Sequence, residues 1–459
     1  MKQSIILHSA ILLLLTITVN GQIGTRFPSE KKEVTDPVTG VQLTFLTSTP
    51  AGDSKIYQTH QQWTADGKWV IFRSNRVRGE AMAVNEETGV IVQVTEGGYT
   101  GMLNVAQKSM KLCFMRNMPR EQGAVPMRAG PVQVIEVDLA KLFADSEAGK
   151  MRSADEYQRV CGVTPVEMVA GGDMALDADE EIVYFRTGRD YSAEYLPEGT
   201  KIESNFGPRN MGAGPSGIGS MNIRTGEIRH VVSVPFQVGH IQANPWVPGE
   251  IVFCWETGGK APQRTWTVRA DGTGLRPLYP EADYEWVTHE AVITKDEVAI
   301  AIMGHRPVGT GRRQDAGDGA QKPADPANPG QEPGWGISGT REKPSGLGIV
   351  NLRTGEMIIA GQTPSGSGLW HVQGSADGRW AVGDDFSRNI YLIDRQSREM
   401  ILLSAGHKVT AADHPHPSFS PDGTKIHIQS AMLSDDNRSM NICIIPVPWV
   451  KTASPSASL

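Results

Sequence analysis

Short apolar runs alternate with tight polar turns along this chain, and one arrangement of the two keeps returning. Residues 63–72, 374–382 and 419–428 share a plan: a short strand, an Asp-Gly turn (Asp66-Gly67, Asp377-Gly378, Asp422-Gly423) and an alternating apolar return strand. Looser copies surround Lys108-Ser109, Asp179-Glu180, Pro248-Gly249 and Lys295-Asp296, each followed by an apolar run such as Ile251-Val252-Phe253-Cys254. Most units continue into a third and fourth strand about turns such as Thr225-Gly226 and Thr354-Gly355. Seven four-stranded units predict an all-β chain folded as a seven-bladed β-propeller. The stretch from Val41 to Ser48, before the first full unit, reads as a spare N-terminal strand that closes the last blade. A β-sandwich with accidental hairpins lacks this internal similarity.

The full chain of 459 residues exceeds the usual single-core domain, whereas a ring of blades grows without one enlarging core. The formal net charge of −7 is spread rather than clustered, which argues against a nucleic-acid partner. Met1-Lys2-Gln3-Ser4 followed by the apolar run Ile5 to Val19 reads as a secretory signal peptide over 1–21, with cleavage near Gly21-Gln22. A membrane anchor is the competing reading, but the run is short for a bilayer and carries His8, and no later segment is apolar enough to span. A periplasmic or secreted protein is therefore expected, with one propeller domain over 22–459 and a Gly/Pro-rich insertion in the fifth blade at about 306–345. Cys113, Cys254 and Cys443 lie in apolar strands and Cys161 stands apart, so no disulfide framework is expected.

Candidate chemistry enters with the histidines. His60, His371 and His416 each precede the Asp of their turn by six residues, His289 keeps the same offset from Lys295, and His240 opens the matching strand of the fourth unit. The first strand of each unit lines a propeller's central channel, so these imidazoles are expected to meet at one mouth. His414 lies two residues before His416, on the same face of its strand. His289, His414 and His416 together offer three imidazoles for one divalent ion. The exits of the second strands are polar as well, with Arg73 and Arg186 on the opposite side of the mouth from the doublet, suited to grip a ligand carboxylate. His230, His305, His407 and His427 show no such convergence and are read as structural.

Three stretches carry a likeness: Val238-Gly239-His240-Ile241-Gln242 leading to Trp255-Glu256, then Val287-Thr288-His289-Glu290, and His414-Pro415-His416-Pro417-Ser418-Phe419-Ser420-Pro421-Asp422-Gly423. With Arg264-Thr265-Trp266 and Asp271-Gly272-Thr273, they make the chain resemble the oligogalacturonate lyase family of seven-bladed propellers. The resemblance implies β-elimination on short uronate oligosaccharides. It further implies a manganese-type ion, with calcium and zinc as alternatives, held by three histidines and a glutamine beside a histidine base. Carried across by position, His289, His414 and His416 fall on the metal ligands and His240 on the base. Arg73, Arg186 and Arg264 become the candidate carboxylate partners. The family glutamine, three residues before the doublet, is replaced by Ala411, which leaves Asp413, Gln373, His371 or water for the fourth position. The signal peptide is a second departure and implies a larger or different uronate. A competing reading is a non-catalytic propeller that binds carbohydrate or protein partners, for which a base at His240 has no use.

Overall fold

The computed structural model describes residues 21–118, 130–204, 211–256, 261–282, 285–305, 345–362 and 368–447. Seven antiparallel sheets of four or five strands follow one another around a ring, and the innermost strands of successive sheets touch. The repeated turn has a plain physical cause. In the first, sixth and seventh blades the Asp carboxylate accepts from the hydroxyl two residues earlier (Thr64, 2.6 Å; Ser375, 2.5 Å; Ser420, 2.6 Å). It also accepts from the backbone N–H two residues later, on Lys68, Arg379 and Thr424. The glycine that follows sits at φ of +69°, +71° and +70°, a left-handed conformation that only a residue without Cβ adopts freely.

The apolar core is divided, not central. One buried cluster fills each junction between neighbouring blades; Ile71, Val92 and Phe114 meet between the first two, and Val382, Phe45 and Ile428 between the last two. The ring is shut by both ends of the chain. Gln42–Phe45 pairs with Asn441–Pro446, Thr44 lying opposite Ile444, and Lys32–Thr35 adds outside it, so the expected N-terminal strand completes the last blade. A second N-terminal piece, Arg26–Phe27, edges the first blade instead, beside Ile91–Gln93. Leu46 then packs with Phe72 and Ile442 across the seam.

One helix the strand pattern did not suggest, Leu139–Glu147, is capped by the Asp138 side chain on Lys141 N–H. It buries Leu139, Leu142, Phe143 and Ser146, and the Phe143 ring stacks on Trp69 at 4.1 Å. The stretch read as a signal peptide lies outside the described residues but for Gly21, as does all but the end of the 306–345 insertion. That insertion joins the second and third strands of the fifth blade, Glu297–His305 and Gly346–Asn351. Among the described residues no helix is long and apolar enough to cross a membrane.

Candidate functional site

The innermost strands of blades two to five slip register near their starts, between Thr100 and Leu103, Gly171 and Met174, Gly239 and Gln242, and Thr288 and Glu290. Such bulges turn a side chain away from its ladder direction. Within each, one residue takes positive φ: Gly101 (+72°), Gly172 (+78°), His240 (+48°) and His289 (+43°), and His416 (+51°) does the same in the last blade. Blade two has no room for a side chain there, since a Cβ on Gly101 would lie 1.9 Å from the Gly172 carbonyl oxygen, and at Gly172 a Cβ would press on the Arg186 guanidinium at 2.9 Å. In blades four, five and seven the same left-handed residue is a histidine. Non-glycine residues seldom sit at positive φ, and such strain persists where the surroundings hold it.

The imidazoles gather around His371. Its ring lies 3.6 Å from that of His416, 4.3 Å from His289 and 5.3 Å from His414, centroid to centroid. The Tyr57 ring, which the sequence pattern did not single out, stands in their midst, 5.0 Å from His240, 5.1 Å from His416, 5.9 Å from His371 and 6.3 Å from His289. It arrives there because the inner strand of the first blade is broken: Ser54–Lys55 pairs with the second strand, the chain loops out, and pairing resumes only at Trp63 opposite Val70.

That same loop corrects the expectation for His60. It does not join the other histidines; its Nε2 bonds the Met174 carbonyl oxygen at 2.9 Å and its ring lines the opposite mouth of the channel, beside the Asp-Gly turns. The six-residue offset from Asp66 is conserved in count but not in path.

Burial and mutual repulsion keep the clustered rings neutral, the form that offers a lone pair to a metal. Burial, then the neighbouring histidines, hold His289 well below the usual imidazole value, and burial with His416 brings His371 to about 3. Burial also lowers His416. Orientation is set from outside. His289 Nδ1 donates to the Trp370 carbonyl oxygen (2.7 Å), and Asp384 engages both the His371 backbone N–H (2.7 Å) and its Nδ1 (3.2 Å), leaving each Nε2 free. His416 Nδ1 meets the Gln58 side-chain amide and Nε2 meets Asp413 Oδ2, both at 3.0 Å; a neutral ring donates through only one of the two. His414 Nδ1 is buried without a hydrogen-bond partner, 3.3 Å from Asp384 Oδ2.

Among the described residues two sets bring their ligand atoms within 4.8 Å of one another, His371–Asp384–His414 and His240–Cys254–Glu256. The expected triad of His289, His414 and His416 is not itself such a set; His371 stands between its members. Of the three side chains considered for the position vacated by Ala411, Gln373 accepts from Phe419 N–H and lines the opposite mouth, whereas His371 and Asp413 lie in the cluster. Neutral imidazoles and two carboxylates, gathered in one cluster, suit a divalent first-row ion.

His240 has a different environment. Its Nδ1 donates to Glu290 Oε1 (2.9 Å), and Nε2 lies 3.3 Å from Glu256 Oε2. Burial disfavours its charged form, but the two carboxylates outweigh burial and raise it above the ordinary imidazole value. Glu290 is buried, and although burial alone would raise it, Arg264 and His240 hold it down at about 2. Arg264 is 1 % exposed and gives Nε to Glu290 Oε2 at 3.0 Å. Expected among the carboxylate partners of a ligand, it engages the carboxylates around His240 through Nε and Nη2, while its Nη1 has no partner. Arg73 and Arg186 are half-buried. Arg73 Nη2 makes long contacts to the Gly101 oxygen (3.4 Å) and Met102 Sδ (3.3 Å), and its Nε has no partner. Arg186 lies against Gly172 and attracts the half-buried Asp173.

No protein-family model matches the chain, and no curated protein matches it. Among the solved structures similar to it in fold are an oligogalacturonate lyase in complex with manganese and an oligogalacturonate lyase from Vibrio parahaemolyticus. Each has a TM-score of 0.66 at 18 % identity and covers 94 % of this chain and 99 % of its own. At that identity the likeness establishes the seven-bladed propeller.

Proposed function

We propose that the protein is an exported, metal-dependent lyase that cleaves uronate-containing oligosaccharides by β-elimination. The observation that carries this reading is the facing of two differently tuned sets in one funnel. On one side stand neutral His289, His371 and His416 with His414 beside them; on the other, His240 stands between Glu256 and Glu290. Similarity to two lyases of this fold, one of them a manganese complex, supports it.

The residues that would hold the ion are His289, His414 and His416, with His371 and Asp413 available to complete the set. A bound divalent ion supplies positive charge to the substrate carboxylate, which stabilises the enediolate formed when C5 is deprotonated. Neutral His240 accepts the C5 proton, the C5–H electron pair becomes the C4=C5 double bond, and the C4–O bond breaks with its oxygen taking a proton from solvent. Glu290 fixes the His240 ring by accepting from Nδ1, and Arg264 fixes Glu290 in turn. Arg73 and Arg186 carry the remaining donors for a substrate carboxylate.

The test is an assay of the mature protein with manganese, calcium or zinc on pectic and ulvan-type oligosaccharides, reading the ultraviolet absorbance of the unsaturated uronate. Release of that product, abolished by His240→Ala with metal content retained, is expected. Absence of product from every uronate substrate overturns the reading.

A further inference from the structure

The proposed proton transfer makes no use of Cys254, yet the thiol lies against the base. His240 sits in the bulge between Gly239 and Gln242, and Gly239 pairs with Cys254 across the ladder. Cys254 and Glu256 are two residues apart, so an extended chain points both to one side. Gly239 leaves the space that the Glu256 side chain fills, since a Cβ there would lie 2.8 Å from Glu256 Cβ and 3.1 Å from Oε2.

The three ligand atoms have the spacing of a tetrahedral zinc. Bonds of about 2.0–2.2 Å to nitrogen and oxygen and about 2.3 Å to sulfur separate N from O by about 3.3 Å and S from O by about 3.6 Å. His240 Nε2 stands 3.3 Å from Glu256 Oε2, Cys254 Sγ stands 3.7 Å from the same oxygen, and all three atoms lie within 4.8 Å of one another. The far side of the imidazole is prepared as well. Its Nδ1 donates to Glu290 Oε1 at 2.9 Å, the carboxylate–histidine pairing that fixes the tautomer of a metal-bound ring. Charge also balances: a dication with Arg264 is matched by Glu256, Glu290 and a Cys254 thiolate, as a buried group requires. Cys254 is fully buried, but the His240 and Glu256 side chains are 18 % and 15 % exposed and give an ion its way in. A thiolate among the ligands selects zinc over manganese.

We infer that His240, Cys254 and Glu256 form a zinc site distinct from the histidine cluster, and that zinc there stops turnover by occupying the Nε2 lone pair that takes the C5 proton. Coordination releases the thiol proton to solvent and leaves a fourth position open to water. The site stands on its own geometry; the inhibition rests on His240 being the base of the proposed lyase.

The experiment adds cobalt(II), zinc's spectroscopic substitute, to the mature protein in excess manganese at mildly alkaline pH and reads the near-ultraviolet thiolate-to-cobalt band. A band that zinc abolishes, absent from Cys254→Ser, is expected. Zinc should also stop manganese-supported turnover, and Cys254→Ser, which keeps that turnover, should need about tenfold more zinc for the same loss. Cys254→Ala replaces it if the serine variant does not fold. No band in wild type, or a band kept in the Cys254 variant, overturns the site. Equal zinc sensitivity of wild type and variant overturns the inhibition. A cobalt band in a protein that cleaves no uronate would remove the lyase and leave the zinc site; cleavage without a band would do the reverse.

Discussion

His371 stacks on His416 at 3.6 Å while its Nδ1 is held by Asp384, which puts a residue of the sixth blade between histidines of the fifth and seventh. A ring so placed, with Nε2 free, belongs to the ion's surroundings as much as the doublet does. His371→Ala should therefore lower divalent-metal affinity about 10- to 100-fold, the usual effect of losing a ligand or its immediate support. Competition of the purified variant against a metal-binding dye measures this, and wild-type affinity would remove His371 from the site.

The environment of His240 fixes a direction for pH dependence. Its protonated form cannot accept the C5 proton, and the carboxylates of Glu290 and Glu256 raise its value above 6.5. Turnover should thus fall as pH falls through a point above 6.5. Glu256→Gln removes one of the two carboxylates and should move that limb toward lower pH. A pH profile of kcat/KM for wild type and variant decides it; a limb that stays put or moves upward contradicts the assignment of His240 as base.

Glu290 and Arg264 make a buried pair whose separation leaves a charge without compensation. Glu290→Gln should destabilise the fold by about 3–5 kcal/mol near neutral pH, as measured by denaturant unfolding. Because the carboxyl is held at about 2 against an ordinary 4.5, its contribution is fully present above 4.5 and is lost as pH falls through about 2. The difference between wild type and variant should accordingly shrink in acid.

Positive φ at His289 predicts an unusual order of stability. Glycine adopts φ of +43° freely and alanine does not, so His289→Gly should unfold at higher denaturant than His289→Ala, by about 1–2 kcal/mol. Elsewhere in a strand alanine would be the more stable of the two. Equal midpoints would mean the bulge relaxes once the imidazole is gone.

The period of the strands and the Asp-Gly turns were enough to anticipate the ring, its closure by an N-terminal strand and the mouth at which His240, His289, His414 and His416 meet. These are local signals, repeated seven times. What could not be counted from turn offsets is the detour of residues 56–62, which moves His60 to the far mouth and puts Tyr57 in the funnel. The pairing of Arg264 with Glu290 was equally illegible, because an arginine just ahead of a strand looks the same in sequence whatever carboxylate it meets. Signals for the supporting groups were nonetheless present. Glu290 adjoins His289, and Asp384 ends a second strand where the first three blades carry arginine at the last or last-but-one position.

Sharing the last blade between Gln42–Phe45 and Asn441–Pro446 sets an order of assembly. Gln42–Phe45 can pair early with Lys32–Thr35, but its inner partner Asn441–Pro446 exists only when nearly the whole chain has been made, and that pairing completes the seventh blade beside the first. His414 and His416 arrive with that last segment. A partly synthesised or C-terminally clipped chain can stack its early blades but holds no complete histidine cluster, so the chemistry becomes available only once the ring has locked.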